Sequence, residues 1–172
     1  MMKKIAIFTT SMIMVTACHS QQTVAVKADP NPTQPVSVPT AASSPVLALN
    51  DEILQKFNWQ LNAVTDVQGK NVAQPLQYDS NKPLILSFDQ TTLKLLNTCN
   101  HMSSQYMLTN DNVVLSGMMS TRMMCEPQAM AFDTMASEVV VGQYRLTQDN
   151  QGKAKLTITN DKTVSVFAPI EK

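Results

Sequence analysis

Lys155-Leu156-Thr157-Ile158-Thr159, then Asn160-Asp161, then Thr163-Val164-Ser165-Val166-Phe167: this stretch near the C-terminus decides how the rest of the chain is read. Each flank alternates side-chain type at period two, as a strand with one buried face does, and an Asn-Asp pair is turn chemistry. The spacing predicts a C-terminal hairpin with one polar face. Toward the N-terminus the same signal recurs in short pieces: Gln143 to Thr147, Val113-Val114-Leu115, Tyr106-Met107-Leu108, Thr91 to Leu96, and Leu84 to Phe88 with Leu84, Leu86 and Phe88 facing the core. Asn58 to Val64 alternates too, so Trp59, Leu61 and Ala63 are expected on one face. Turns are expected at Asp66 to Lys70, Asp79 to Pro83, Asp89-Gln90, Asn110 to Asn112 and Asp149 to Gly152.

One helix interrupts the strands. Glu126-Pro127 is a start signal, because proline is tolerated in the first turn, where its missing N–H has no intrahelical partner. Phe132, Met135, Ala136, Val139 and Val140 then recur at helical spacing, and Gly142 supplies a stop. A shorter piece, Asp51 to Phe57, predicts one or two helical turns capped by Asn50 or Asp51. The fold class is mainly β (α+β), antiparallel and meander-like with one packed helix, in a single domain over residues 51–172.

Ahead of that domain stand two segments of different character. Lys3 and Lys4 precede an apolar run from Ile5 to Val15, about the length of a cleaved signal and too short to span a bilayer. Val15-Thr16-Ala17-Cys18 resembles the processing site of bacterial lipoproteins, which implies removal of residues 1–17 and acyl chains on Cys18, an ordinary secretory signal with Cys18 incidental being the alternative. His19 in place of aspartate after that cysteine resembles the default outer-membrane sorting pattern, so an outer-membrane, lipid-anchored location is the expectation. Residues 18–50 then read as a disordered tether: Pro30, Pro32, Pro35, Pro39 and Pro45 fall there, no aromatic does, and such composition buries too little to offset chain entropy.

Charge excludes more than it suggests. Without Lys3 and Lys4 the chain carries 13 − 2 = 11 basic residues against 13 acidic ones, with no basic run, which argues against nucleic acid as a partner. Four glycines in all make a phosphate-cradling loop improbable, and no Ser-His-Asp order or paired carboxylates stand out. With Cys18 assigned to lipid, Cys99 and Cys125 remain in a compartment that permits disulfides. A bridge between them is expected, two separately buried thiols being the alternative.

Trp59-Gln60-Leu61, Cys99-Asn100 followed by Tyr106, and Ser120-Thr121-Arg122-Met123-Met124-Cys125 ahead of an apolar helix together resemble the META domain of HslJ-type heat-shock lipoproteins. Thr98, Ser104 and Met124 stand where that family usually carries Gly, Gly and Ala. The resemblance implies a compact antiparallel barrel-like structure with a helix packed across it, and family-motif roles for Trp59, Asn100, Tyr106, Thr121 and Met123.

Other constellations compete weakly. His101 with Cys99 and Cys125 lacks a fourth zinc ligand, and a disulfide would remove both thiolates. Met118, Met119, Met123, Met124 and Met130 crowd one stretch with thioethers suited to Cu(I), yet methionine is also a good filler of irregular cores, and packing is the preferred reading. Thr121 and Arg122 could form a binding edge or a turn and capping device, and the structural reading is preferred; Asn100 likewise suits a left-handed turn or a local backbone bond. No catalytic residue, metal or cofactor is assigned. The functional expectation is a non-enzymatic outer-membrane lipoprotein for envelope stress, drug or heat tolerance, attached through Cys18 and binding an envelope protein or small molecule. A lipoprotein inhibitor of a lysozyme or protease is the alternative.

Overall fold

The computed structural model describes residues 44–72 and 81–172. Cys18, the signal and most of the tether, together with the start of the turn expected at Asp79 to Pro83, lie outside the described residues. Within them the chain runs β1 (Val46–Leu47), α1 (Asp51–Lys56), β2 (Asn58–Asp66), β3 (Ile85–Asp89), β4 (Thr92–Leu96), β5 (Met102–Thr109) and β6 (Asn112–Leu115). It continues through β7 (Met119–Ser120), α2 (Pro127–Val139), β8 (Gln143–Gln148), β9 (Ala154–Thr159) and β10 (Thr163–Ile170). The strands form one sheet in the order β1-β8-β9-β10-β2-β3-β4-β5-β6, with β7 on β5 and every pairing antiparallel. The sheet curls into a half-barrel, bringing β6 to β8, where Asn112 Oδ1 accepts the Tyr144 N–H at 2.8 Å.

Turn chemistry sets the register. Asp66-Val67-Gln68-Gly69-Lys70 and Asp149-Asn150-Gln151-Gly152-Lys153 are the same device used twice. In each, one aspartate Oδ1 accepts two backbone N–H groups: Gln68 and Lys70 in the first, Gln151 and Lys153 in the second. At Asn110-Asp111 both residues take positive φ (50° and 58°), as a two-residue hairpin turn requires and asparagine and aspartate tolerate.

The C-terminal hairpin forms as expected, but one side chain goes the other way. Residues directly opposite in an antiparallel pair share a face, and Leu156 and Ile158 are buried, so their partners Phe167 and Ser165 are buried as well. Ser165 is therefore a core residue, while Val164 and Val166 are only half-buried. Strand β2 corrects a second expectation. Val166 pairs with Ala63 but Phe167 with Leu61, so Asn62 is an extra residue, a bulge that reverses the alternation. Trp59 stays inside, Ala63 is exposed, and Val64 takes the inward place.

The third correction concerns residues 45–49, read from sequence as the end of the tether. Val46 and Leu47 pair with Thr147 and Leu146, the Gln148 N–H donates to Pro45 O at 3.0 Å, and Leu49 is buried. A two-residue strand here covers the otherwise open edge of β8. The domain thus begins before Asp51.

Leu54, Trp59, Leu84, Leu86, Phe88, Phe132, Leu146, Leu156, Ile158 and Phe167 form the centre of the core. Phe88 meets Tyr106 edge-on at 5.1 Å between ring centroids and Tyr144 at 6.5 Å, joining strands from both halves of the sheet. Trp59, fully buried, donates its indole N–H to Leu54 O at 3.0 Å, so its one polar atom is satisfied by α1. Helix α1 is capped as expected by Asn50, whose Oδ1 accepts the Ile53 N–H at 3.0 Å. Helix α2 begins with Pro127 and buries Ala129, Phe132, Ala136 and Val139 on one stripe. Beyond its end Gly142 packs so closely that a Cβ there would collide with Thr159 O, which leaves glycine as the residue that fits.

Candidate functional site

Asp133 lies on the buried stripe of α2, where the periodicity calls for an apolar residue. Its carboxylate meets the loop between β4 and β5: Oδ1 accepts the Cys99 N–H at 2.9 Å, and Oδ2 accepts the Asn100 N–H at 2.8 Å and the Asn100 side-chain amide at 3.0 Å. Asn100 faces the other way with its carbonyl. Its Oδ1 accepts the Met123 N–H at 2.7 Å and the Thr121 hydroxyl at 3.1 Å, and the same Thr121 Oγ1 accepts the His101 N–H at 3.0 Å. One buried asparagine thereby ties the helix, the β4–β5 loop and the segment entering α2 together.

This corrects the role expected for Asn100. It makes long-range side-chain bonds, and the left-handed residue nearby is Asn97, at φ 66°. A buried carboxylate and amide are acceptable here because each polar atom has partners. Thr98, standing where the family usually has glycine, donates its hydroxyl to Asn100 O at 2.7 Å and so adds to the same network.

Cys99 and Cys125 are joined by a disulfide across that network, with their Cα atoms 6.5 Å apart. Both thiols are committed to the bridge, so neither serves as a thiolate beside His101. For a sequence separation of 26 residues the chain-entropy model assigns about 3.5 kcal/mol to the closed loop. Cys99→Ala/Cys125→Ala is expected to lower the urea midpoint and to raise the m-value, because the unfolded chain without the bridge exposes more surface. An unchanged midpoint would mean that the Asn100–Asp133 network holds the loops without the bridge.

Next to this junction lies an open groove of about 830 Å³, lined by Met102, Met118, Met123, Met124 and Met130 together with Asn100, Thr121, Arg122 and Asp133. Here the packing account holds for Met102, in the core, and Met118, half-buried against it, but not for the exposed Met123, Met124 and Met130. Met124 is fully exposed, Met119, Met123 and Met130 are 58%, 47% and 46% exposed, and Met102 alone of the lining methionines is buried. Sequence reasoning singled out Met118, Met123, Met124 and Met130, with packing preferred, and Thr121, but missed Met102 and Asp133, because a single acidic residue inside an apolar stripe looks like a surface position until its partners are known.

Trp59 and Tyr106, the remaining motif residues, lie away from the groove lining and belong to the core. The Tyr106 hydroxyl donates to Asp51 Oδ1 at 2.8 Å and accepts from the Gln55 amide at 2.9 Å. Burial pushes its pKa from 10.0 up to about 12; the Gln55 bond opposes the shift and the Asp51 carboxylate adds to it. Burial also raises Tyr144. Because both folded-state values exceed the unfolded one, their contribution is whole below about pH 10 and is lost as pH rises beyond it. Urea midpoints followed upward through that range should fall, and less so for Tyr106→Phe; a midpoint that rises there would contradict the assignment.

These features define a class: a mainly antiparallel β-domain of half-barrel form, with a helix pinned to the sheet by a buried carboxylate and a disulfide beside an open groove. The META domain family model matches residues 52–171, and the chain belongs to that family. The fold is also similar to that of a protein from Burkholderia xenovorans solved by NMR, with TM-score 0.60 and 20% identity over 82% of this chain and 99% of that one. A second NMR structure is 25% identical with TM-score 0.46, over 69% of this chain and 93% of the other. Comparison with curated proteins finds no match.

Proposed function

We propose that this chain is a non-enzymatic outer-membrane lipoprotein, held by acyl chains on Cys18, whose META domain supports envelope stress, drug or heat tolerance by binding in the methionine-lined groove. The carrying observation is the groove itself. Its lining offers thioethers, hydroxyls and an amide, and its one carboxylate, Asp133, already accepts three N–H groups. Such a surface is suited to holding a ligand, since methionine adapts its shape and contacts soft or apolar groups. Residues 18–44 are long enough to let the domain reach away from the lipid surface, at up to about 3.1 Å per residue if extended.

The test is a deletion strain challenged with heat and hydrophobic antibiotics and complemented by the wild-type chain or by Cys18→Ala. Restored tolerance with the wild type alone is expected. Normal tolerance in the deletion strain, together with capture of a lysozyme or protease by the domain and loss of its activity, would replace this reading with that of an inhibitor.

A further inference from the structure

We propose that the groove is a Cu(I) site, with the thioethers of Met118, Met123, Met124 and Met130 as its ligands. The inference rests on the reading of the groove as a binding site and names what it takes. Met124 is fully exposed and Met123 and Met130 are about half exposed, so burial accounts for little of their choice, while Met118, half-buried against the core, borders the same groove. What methionine has that Leu and Ile lack is a soft sulfur donor, and thioethers select Cu(I) over Zn(II), Ca(II) and Mg(II), which prefer nitrogen, thiolate or hard oxygen.

The backbone under these side chains is fixed. The Thr121 N–H donates to His101 O at 3.1 Å, the Met123 N–H is held by Asn100, and Cys125 is bridged to Cys99. Met123 and Met124 therefore project from an anchored segment, while Met130 comes from the start of α2, its N–H donating to Glu126 O at 3.0 Å. The backbones that carry these ligands are held by bonds to two elements, so metal binding has only the methionine side chains left to order. Met102, buried on β5 where it pairs with Ser120 of β7, closes the groove floor with a further thioether. Thioethers are neutral, so binding releases no proton, and Asp133 lines the same groove as Arg122, opposing its positive charge.

The experiment is a competition titration of the full chain in detergent, with tetrakis(acetonitrile)copper(I) supplied anaerobically against bicinchoninate and no thiol reductant, so that the disulfide stays closed. The chain is expected to withdraw about one equivalent of Cu(I) and to ignore Zn(II). Met123→Leu/Met124→Leu/Met130→Leu, which alters exposed positions by volume-conserving changes, should weaken binding by about tenfold or more, since loss of supporting groups alone costs 10–100-fold in metal sites. Met107→Leu removes an exposed thioether on β5 outside the groove and should bind as the wild type does. No withdrawal of Cu(I), or equal loss in Met107→Leu and the triple variant, would overturn the site. A stress phenotype in the deletion strain would in that case leave the broader function standing without copper.

Discussion

Asp133→Ala is expected to destabilise the domain by about 3–5 kcal/mol: three N–H donors lose their acceptor at once, and although hydrogen bonds to a charged group are worth roughly 1.5–3 kcal/mol singly, those sharing one carboxylate do not add in full. The Asn100 N–H and side-chain amide are buried, so water does not replace the carboxylate freely. Asp133→Asn should be almost as damaging. Aspartate accepts through both oxygens, Oδ1 from Cys99 and Oδ2 from Asn100, and an amide would set an NH₂ group against one of those donors. Chemical denaturation of both variants checks this. An Asn variant as stable as the wild type would show that one acceptor suffices and that the network has been overvalued.

The second large effect concerns location. Cys18→Ala is expected to move the protein from the membrane fraction to the soluble fraction. Attachment is proposed to come from acyl chains on Cys18, which ends a lipoprotein-like Val15-Thr16-Ala17-Cys18. Each buried methylene contributes about 0.8 kcal/mol, one chain binds marginally, and two or three hold stably, so under the proposed acylation the loss of Cys18 removes the whole anchor. Fractionation of cells expressing the two forms decides the matter. A Cys18→Ala protein that stays with membranes would mean another element holds it.

The strands and α2 were legible because their signal is local. Leu84, Leu86 and Phe88 alternate without interruption, and Phe132, Ala136 and Val139 repeat at helical spacing, so both elements follow from nearest-neighbour geometry. Where the sequence misled, a distant partner decided. Ser165 turns inward because Ile158 lies opposite it, Ala63 turns outward because Asn62 bulges, and Val46 joins the sheet because β8 has an open edge. Asp133 is the sharpest instance. Its burial follows from Cys99 and Asn100, more than thirty positions away, and no pattern within α2 announces them.

The methionines show the same limit from the other side. Their clustering was visible, but whether they filled a core or lined a surface depended on where Asn100 and the disulfide hold the segment before α2. That arrangement turns a packing residue into a candidate ligand. Met107 supplies an internal control, being as exposed as any lining methionine except Met124 yet outside the groove.

Methyl-labelled methionine NMR of the full chain during Cu(I) addition tests the account most directly, since it reads each thioether separately. The methyl signals of Met118, Met123, Met124 and Met130 should shift together and saturate, while those of Met107 and Met135 stay in place. Shifts at Met107 equal to those at Met123 would show unselective surface binding and contradict the claim that the groove is the site.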